Sequence, residues 1–225
     1  VNTERIIGVE ALLRWTDDGL GSVSPAEFIP IAERSQLIVP IGAWILKQAV
    51  EQNARWHRAG HRAITVSVNV SPTQLKQRHF VSMVRDLLNE SGLPPQFLEL
   101  EITEGVAMEN EKEVLRKLQA LRTLGVRVSL DDFGSGYSSL KYLKSFGMNT
   151  LKIDREFIRD YSRENEAKSL IPGIIAIGHA LGMLIVCEGV ETREQLDYLK
   201  RQGCDAVQGY VFCRPAPPEE IERMF

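Results

Sequence analysis

The chain reads as an α/β protein built on a closed parallel sheet, a (β/α)8 barrel whose first strand lies upstream of Val1. Three observations carry that expectation. Seven short strand-like runs alternate with helix-like stretches, which implies parallel pairing through crossover helices. Seven is one short of closing such a barrel, and Val1-Asn2-Thr3-Glu4-Arg5 reads as the middle of a longer chain. Finally, polar residues end successive apolar runs: Glu10, Asn69, Glu101, Asp131 with Asp132, Lys152 with Asp154, Glu188 and Gln208. In a barrel those ends converge on one mouth, where active sites are built. A doubly wound open sheet is the competing fold.

The elements follow in order. Arg5 to Trp15 is a strand with Glu10 near its end, and Asp17-Asp18-Gly19-Leu20-Gly21 is a turn. Ser24-Pro25-Ala26-Glu27 has the form of a capping box with proline at the first helical position, so a helix starts there with Phe28, Ile31 and Ala32 as its apolar stripe. Ile41 to Ala59 is a longer helix stopped by Gly60. Ala63 to Val70 is a strand, broken by Ser71-Pro72. Leu75 to Asn89 is an amphipathic helix, and Phe97 to Ile102 is the next strand. Asn110 caps a helix that runs to Leu124 and stops at Gly125. Val126 to Leu130 is a strand, followed by a short helix around Ser138 to Ser145. Asn149 to Ile153 is a strand, and the helix from Glu164 to Ala180 is expected to bend at Pro172. Met183 to Cys187 is a strand, Thr192 caps a helix to Gln202, Cys204 to Gln208 is the last strand, and Pro217 to Phe225 starts a final helix.

Composition narrows the class. With 225 residues, 44% hydrophobic and 25% charged, one domain over 1–225 has ample core. A net charge of −3 supplies no global basic field, so no nucleic-acid polymer is expected as a partner. No apolar run approaches the ~20 residues that span a bilayer. Cys187, Cys204 and Cys213 are odd in number and lack C-x-x-C spacing, which suits buried thiols in a reducing compartment. His57 and His61 are four apart but lack the glutamate of a zinc helix and straddle Gly60, so they read as a helix end.

The stretch from Ser129 to Ser139 is the centre of the chemistry. Side chains alternate along a strand, so Asp131 and Asp132 converge only where the strand ends and turns. Adjacent carboxylates repel, and a nearby cation keeps both ionised. The strand ends together offer five or more carboxylates and the amide oxygens of Asn69 and Gln208. That donor set suits hard cations, Mg²⁺ or Mn²⁺, rather than zinc. So many acids suit two ions sharing a carboxylate, about 3.5–4 Å apart, with Lys152 adding positive charge for a phosphoryl group or its attacking water. The chemistry that follows is metal-assisted phosphoester hydrolysis. Metal-assisted enolisation, which also places acids and a lysine at barrel strand ends, remains open.

The motifs resemble those of one family. Glu10-Ala11-Leu12 within Gly8-Val9-Glu10-Ala11-Leu12-Leu13-Arg14-Trp15 resembles the signature that names the EAL domain family, phosphodiesterases of the bacterial second messenger cyclic di-GMP. Val68-Asn69-Val70-Ser71, Glu101-Ile102-Thr103-Glu104, Asp131 to Ser139, Leu151-Lys152-Ile153-Asp154, Glu188-Gly189-Val190-Glu191-Thr192 and Gln208-Gly209-Tyr210 extend the resemblance over nearly the whole chain. It implies a TIM-like barrel with one antiparallel strand, that strand being the one absent before residue 1. It implies hydrolysis of cyclic di-GMP to linear pGpG with two Mg²⁺ or Mn²⁺ ions, inhibited by Ca²⁺.

Carried over position by position, the resemblance makes Glu10, Asn69, Glu101 and Asp131 ligands of one metal. Asp131 bridges to a second metal, also held by Asp132 and Glu188. Glu10, Lys152, Glu188 and Gln208 become the catalytic set, with Lys152 beside the attacking water. Leu12, Arg14 and Asp154 become substrate contacts, and Glu104, Ser135 and Glu191 supports of the site and of the loop from Phe133 to Ser139. A homodimer, a regulatory or sensor domain upstream, and a cytoplasmic domain in a protein that is itself free or membrane-anchored are also implied. The segment Ala32 to Ile38 departs from the family at Gln36, where glycine is more usual, and Cys187 stands where a small residue such as alanine is usual. The competing function is a catalytically silent cyclic di-GMP receptor or docking module.

Overall fold

The computed structural model describes residues 1, 3–61, 63–103, 105, 111–134, 145–159, 161 and 169–225. Seven strands form one parallel sheet in the order β1 (Gly8–Ala11), β4 (Thr65–Asn69), β5 (Leu98–Thr103), β6 (Arg127–Phe133), β7 (Thr150–Ile153), β8 (Leu184–Cys187) and β9 (Ala206–Val207). Each is followed in sequence by helix or loop returning to the sheet's starting edge, so the sheet curls into a TIM-like barrel. Curling brings the first and last strands together at the mouth, where Gln208 Nε2 donates to Glu10 Oε2 at 2.5 Å.

Both faces of the central strands are buried, and alternation sorts them. Leu98, Leu100, Ile102, Val128, Leu130, Leu151, Ile153, Ile185 and Cys187 join the hydrophobic core with Leu118, Leu121, Ile174, Ile175, Leu196 and Leu199 of the helices. The intervening positions, Glu99, Glu101, Ser129, Asp131, Thr150 and Lys152, are buried and polar. Helix Ile171–Ala180 lies so close to the sheet that a Cβ at Gly178 would fall 2.1 Å from Ile185 Cδ1.

Several local expectations are corrected. The run from Arg5 to Trp15 is not one strand: β1 ends at Ala11, and Trp15–Asp17 (β2) pairs with Gly21–Val23 (β3) in an antiparallel hairpin. Its turn is the expected one, with Asp17 Oδ1 accepting from Gly19 N at 2.8 Å and Leu20 N at 3.0 Å. Helix Pro25–Arg34 starts with proline at its first position, but Ser24 makes no side-chain cap bond. The long helix starts earlier than expected, as Ile38–Arg58. A capping box operates instead at Ser71 with Gln74, opening helix Pro72–Leu75, so the single helix expected from Leu75 divides into this turn and helix Phe80–Ser91. Pro172 does not bend a helix. It sits in the first turn of Ile171–Ala180, where its missing N–H would be unpaired anyway. Asn110 and most of the helix expected around Ser138 lie outside the described residues.

Candidate metal and phosphodiester site

The pair Asp131-Asp132 converges by a means the alternation argument did not foresee. The strand does not end there; β6 runs on to Phe133 through a bulge. Leu130 pairs with Leu151 and Phe133 with Ile153, so three steps on β6 face two on β7. The extra residue is Asp132, at φ 54°, a left-handed conformation that aspartate tolerates better than most. The kink turns both acids to one side: one carboxylate oxygen each from Asp131, Asp132 and Glu188 lie within 4.8 Å of one another.

Lys152 occupies the centre of this ring. Its Nζ lies 2.6 Å from Glu188 Oε1, 2.7 Å from Glu101 Oε2, 3.4 Å from Asp131 Oδ1 and 3.8 Å from Glu10 Oε2. These carboxylates come from β1, β5, β6 and the end of β8, and the curl of the sheet brings them to one ammonium. Asn69 Nδ2 donates to Glu10 Oε1 at 2.6 Å, which leaves the Asn69 amide oxygen for a cation.

The charges perturb one another strongly. Burial, together with Glu10 and Asp131 and against the pull of Lys152, pushes the Glu101 carboxyl up to about 8. Burial likewise pushes Glu188 up to about 7, with Lys152 opposing and Asp131 and Glu10 reinforcing. Asp132 is pushed up to about 6 by burial, by Asp131 and by a hydrogen bond with Asp154. For Lys152, burial works against the ammonium, but the surrounding carboxylates outweigh it and hold it well above the usual lysine value. Acids raised in this way mark a site short of positive charge.

The remaining residues singled out in the sequence are placed as follows. Asp154 stands beside Asp132 and also accepts from Glu156 N at 2.7 Å, opening helix Glu156–Arg159. Leu12 and Arg14 are exposed between β1 and the hairpin, and Arg14 Nη1 donates to Leu13 O at 2.9 Å. Glu191 is exposed, and its N–H donates to Gln195 Oε1. Glu104 and Ser135 lie outside the described residues. Cys187 is fully buried beside the site, and burial raises its thiol far above the ordinary range, so it is core. The histidines stay structural: His57 stacks edge-on with Phe97, and His61 meets Glu222 at 2.9 Å. The sequence reading passed over Glu99, which is 7% exposed two residues before Glu101, and its partner Arg127. The alternation Leu98-Glu99-Leu100-Glu101 was the available signal, since it puts both acids on one face.

The donor set fits hard cations. Every candidate ligand supplies oxygen, and the carboxylate oxygens of Asp131 and Glu188 are buried with Lys152 as their neighbouring cation, Asp131 Oδ1 accepting no hydrogen bond among the described residues. A parallel barrel with an acid-rich mouth and a central lysine has the architecture of a barrel enzyme with its active site at the strand ends. The EAL domain family model matches residues 1–215. The chain is 42% identical over 216 residues to the bifunctional diguanylate cyclase/cyclic di-GMP phosphodiesterase MucR of Pseudomonas aeruginosa, covering 96% of this chain and 32% of MucR. It is 40% identical over 214 residues to the cyclic di-GMP phosphodiesterase NbdA of the same organism, covering 95% of this chain and 27% of NbdA. A solved structure, the PaMucR phosphodiesterase in complex with c-di-GMP, superposes with a TM-score of 0.92 at 42% identity over 96% of this chain and 88% of that one. The chain belongs to the EAL domain family. It spans about a third or less of the length of the curated relatives it matches.

Proposed function

We propose that this domain hydrolyses cyclic di-GMP to linear pGpG with two divalent cations, Mg²⁺ or Mn²⁺, held at the barrel mouth. The observation that carries the reading is the ring of Glu10, Glu101, Asp131 and Glu188 about Lys152, with Asp132 added by the bulge. Glu10, Asn69, Glu101 and Asp131 would hold one ion. Asp131, shared, would hold the second with Asp132 and Glu188. When bound, such ions supply an activated water and neutralise the phosphodiester oxygens.

The chain's own residues do the rest. Gln208 and Asn69 clamp Glu10 from two strands and fix its carboxylate. Arg14, exposed and without a carboxylate partner among the described residues, offers bidentate donors to a phosphate, and Leu12 offers an apolar edge to a base. Lys152 carries positive charge to the phosphorus and positions the attacking oxygen. Water attacks phosphorus in line, the bond to the 3′ oxygen breaks, and the ring opens. Glu188 takes the proton of the attacking water, and the departing oxygen is protonated from solvent. A homodimer, and an upstream sensory domain that presents this one in the cytoplasm, complete the reading, which is consistent with multidomain relatives such as the oxygen sensor protein DosP of Escherichia coli.

The experiment is turnover of cyclic di-GMP, followed by chromatography, with Mg²⁺, Mn²⁺ or Ca²⁺ alone. The expected product is pGpG with the first two ions and none with Ca²⁺, whose longer bonds and looser geometry misplace the reacting groups. Binding of cyclic di-GMP without turnover under Mg²⁺ and Mn²⁺ would make the domain a receptor instead.

A further inference from the structure

Beneath the acid ring lies a second charged layer. Arg127 Nε is 3.5 Å from Glu99 Oε2, and Arg127 Nη2 donates to Thr150 Oγ1 at 3.3 Å. Glu99 Oε1 and Ser129 Oγ are buried without a hydrogen-bond partner among the described residues. All four residues share the face that carries the site, Glu99, Ser129 and Thr150 one step below it and Arg127 two. Glu99 precedes Glu101 by two residues, Ser129 precedes Asp131, and Thr150 precedes Lys152, steps of roughly 7 Å along a strand. Glu99 and Arg127 are also direct cross-strand partners in the β5–β6 register.

We propose that Glu99 and Arg127 are positioning residues that set the cation affinity of the mouth. They act through Glu101 as a neutral pair which keeps a guanidinium charge from opposing metal binding. The inference rests on the metal-site reading above and extends it to residues outside the ligand set. Arg127 is permanently charged. Arg127 is a third exposed on its side chain, but Glu99 is buried one step from Glu101, where a change of unit charge is weakly screened, and a divalent ion doubles its effect. Glu99 is the carboxylate within reach that cancels it, and Thr150 holds the guanidinium in place.

The test is Mg²⁺ binding measured by calorimetry without substrate, beside thermal melts, for three variants. Glu99→Gln leaves the guanidinium uncompensated and is expected to weaken Mg²⁺ binding by about tenfold or more, the range seen for residues behind metal ligands. Arg127→Gln removes the opposing charge and is expected to bind Mg²⁺ at least as tightly as the parent, even with a lowered melting temperature. The double variant Glu99→Gln/Arg127→Gln is expected to return to within about threefold of the parent, because it restores neutrality without restoring any contact. Unchanged affinity in Glu99→Gln, or weakened affinity in Arg127→Gln and in the double variant alike, would overturn the proposal and make the pair purely structural. If Glu99→Gln does not fold, Arg127→Gln and the double variant still decide it. A parent protein that binds no Mg²⁺ would instead overturn the metal site, and this inference with it.

Discussion

Lys152 on β7 and Glu101 on β5 meet at 2.7 Å although β6 lies between their strands. Their contact passes through the barrel interior, and the same ammonium reaches Glu188 and Glu10. Lys152 is therefore the counter-ion of the whole ring before any metal enters. Removing one partner of a buried charge network typically destabilises by ~3–5 kcal/mol. Lys152→Met is expected to lower the metal-free melting temperature at pH 8 by about 6–20 °C, at roughly 2–4 °C per kcal/mol for a chain of this size. Mg²⁺ is expected to restore part of the loss. A metal-free melt equal to that of the parent would show that the ring does not depend on Lys152.

The raised acids fix the pH dependence. Folded Glu101 stands at about 8, Glu188 at about 7 and Asp132 at about 6, all above the values of 4.5 and 3.8 usual for their side chains. A raised carboxyl favours the folded state while it is protonated, and that contribution fades as pH rises from the unfolded value through the folded one. The window runs from about pH 4 to pH 8. Cations need the ionised form and gain affinity across its upper part. The rise in melting temperature on adding Mg²⁺ is therefore expected to be larger at pH 8 than at pH 6. A metal shift that is flat or falling over that interval would contradict the assigned ligands.

Asp132 couples backbone to chemistry. At φ 54° asparagine is tolerated, whereas a β-branched residue is strained. Asp132→Asn is expected to melt within about 1 °C of the parent, or above it, without metal, and to bind Mg²⁺ more weakly. Asp132→Val is expected to lose ~1–2 kcal/mol in addition. Equal melting of the two variants would mean that the bulge is not set by residue 132.

Gln36 marks an improvable position. It holds φ 61° just beyond helix Pro25–Arg34, with its N–H bonded to Glu33 O at 3.1 Å. A left-handed residue with a Cβ is strained by ~1–2 kcal/mol, and glycine offsets about half of that gain through its freer unfolded chain. Gln36→Gly is expected to raise stability by ~0.5–1 kcal/mol, or roughly 2 °C. A lower melting temperature would mean that the Gln36 side chain contributes contacts that outweigh the strain.

The sequence made the barrel legible because each strand ends in a polar residue and each helix carries a 3.6-residue apolar stripe. Glu10, Asn69, Glu101, Lys152, Glu188 and Gln208 could be placed at the mouth from strand ends alone. The hairpin of Trp15–Asp17 with Gly21–Val23 was not legible, because three-residue strands show too little alternation and merged with β1. The bulge was hidden because an extra residue is visible only against its partner strand: nothing in Leu130-Asp131-Asp132-Phe133 shows that Phe133 pairs with Ile153. Pro172 misled because the same residue bends a helix interior and opens a helix, and only the helix's first residue distinguishes them. Glu99 was not legible as a neighbour of the site because it stands two residues before the strand's mouth position at Glu101.

The central claim is that Asp131 serves two cations at once, and Asp131→Asn tests it most directly. The change keeps size and hydrogen-bonding shape but removes the charge that the two proposed ions would share. Turnover of cyclic di-GMP should be titrated with Mg²⁺ for parent and variant, with a thermal melt confirming that the variant is folded. The account predicts a folded variant whose turnover falls by at least about a hundredfold and does not recover at saturating Mg²⁺, since loss of a bridging ligand exceeds the 10–100-fold seen for residues behind the ligands. A folded Asp131→Asn that reaches near-parent turnover at high Mg²⁺ would contradict it.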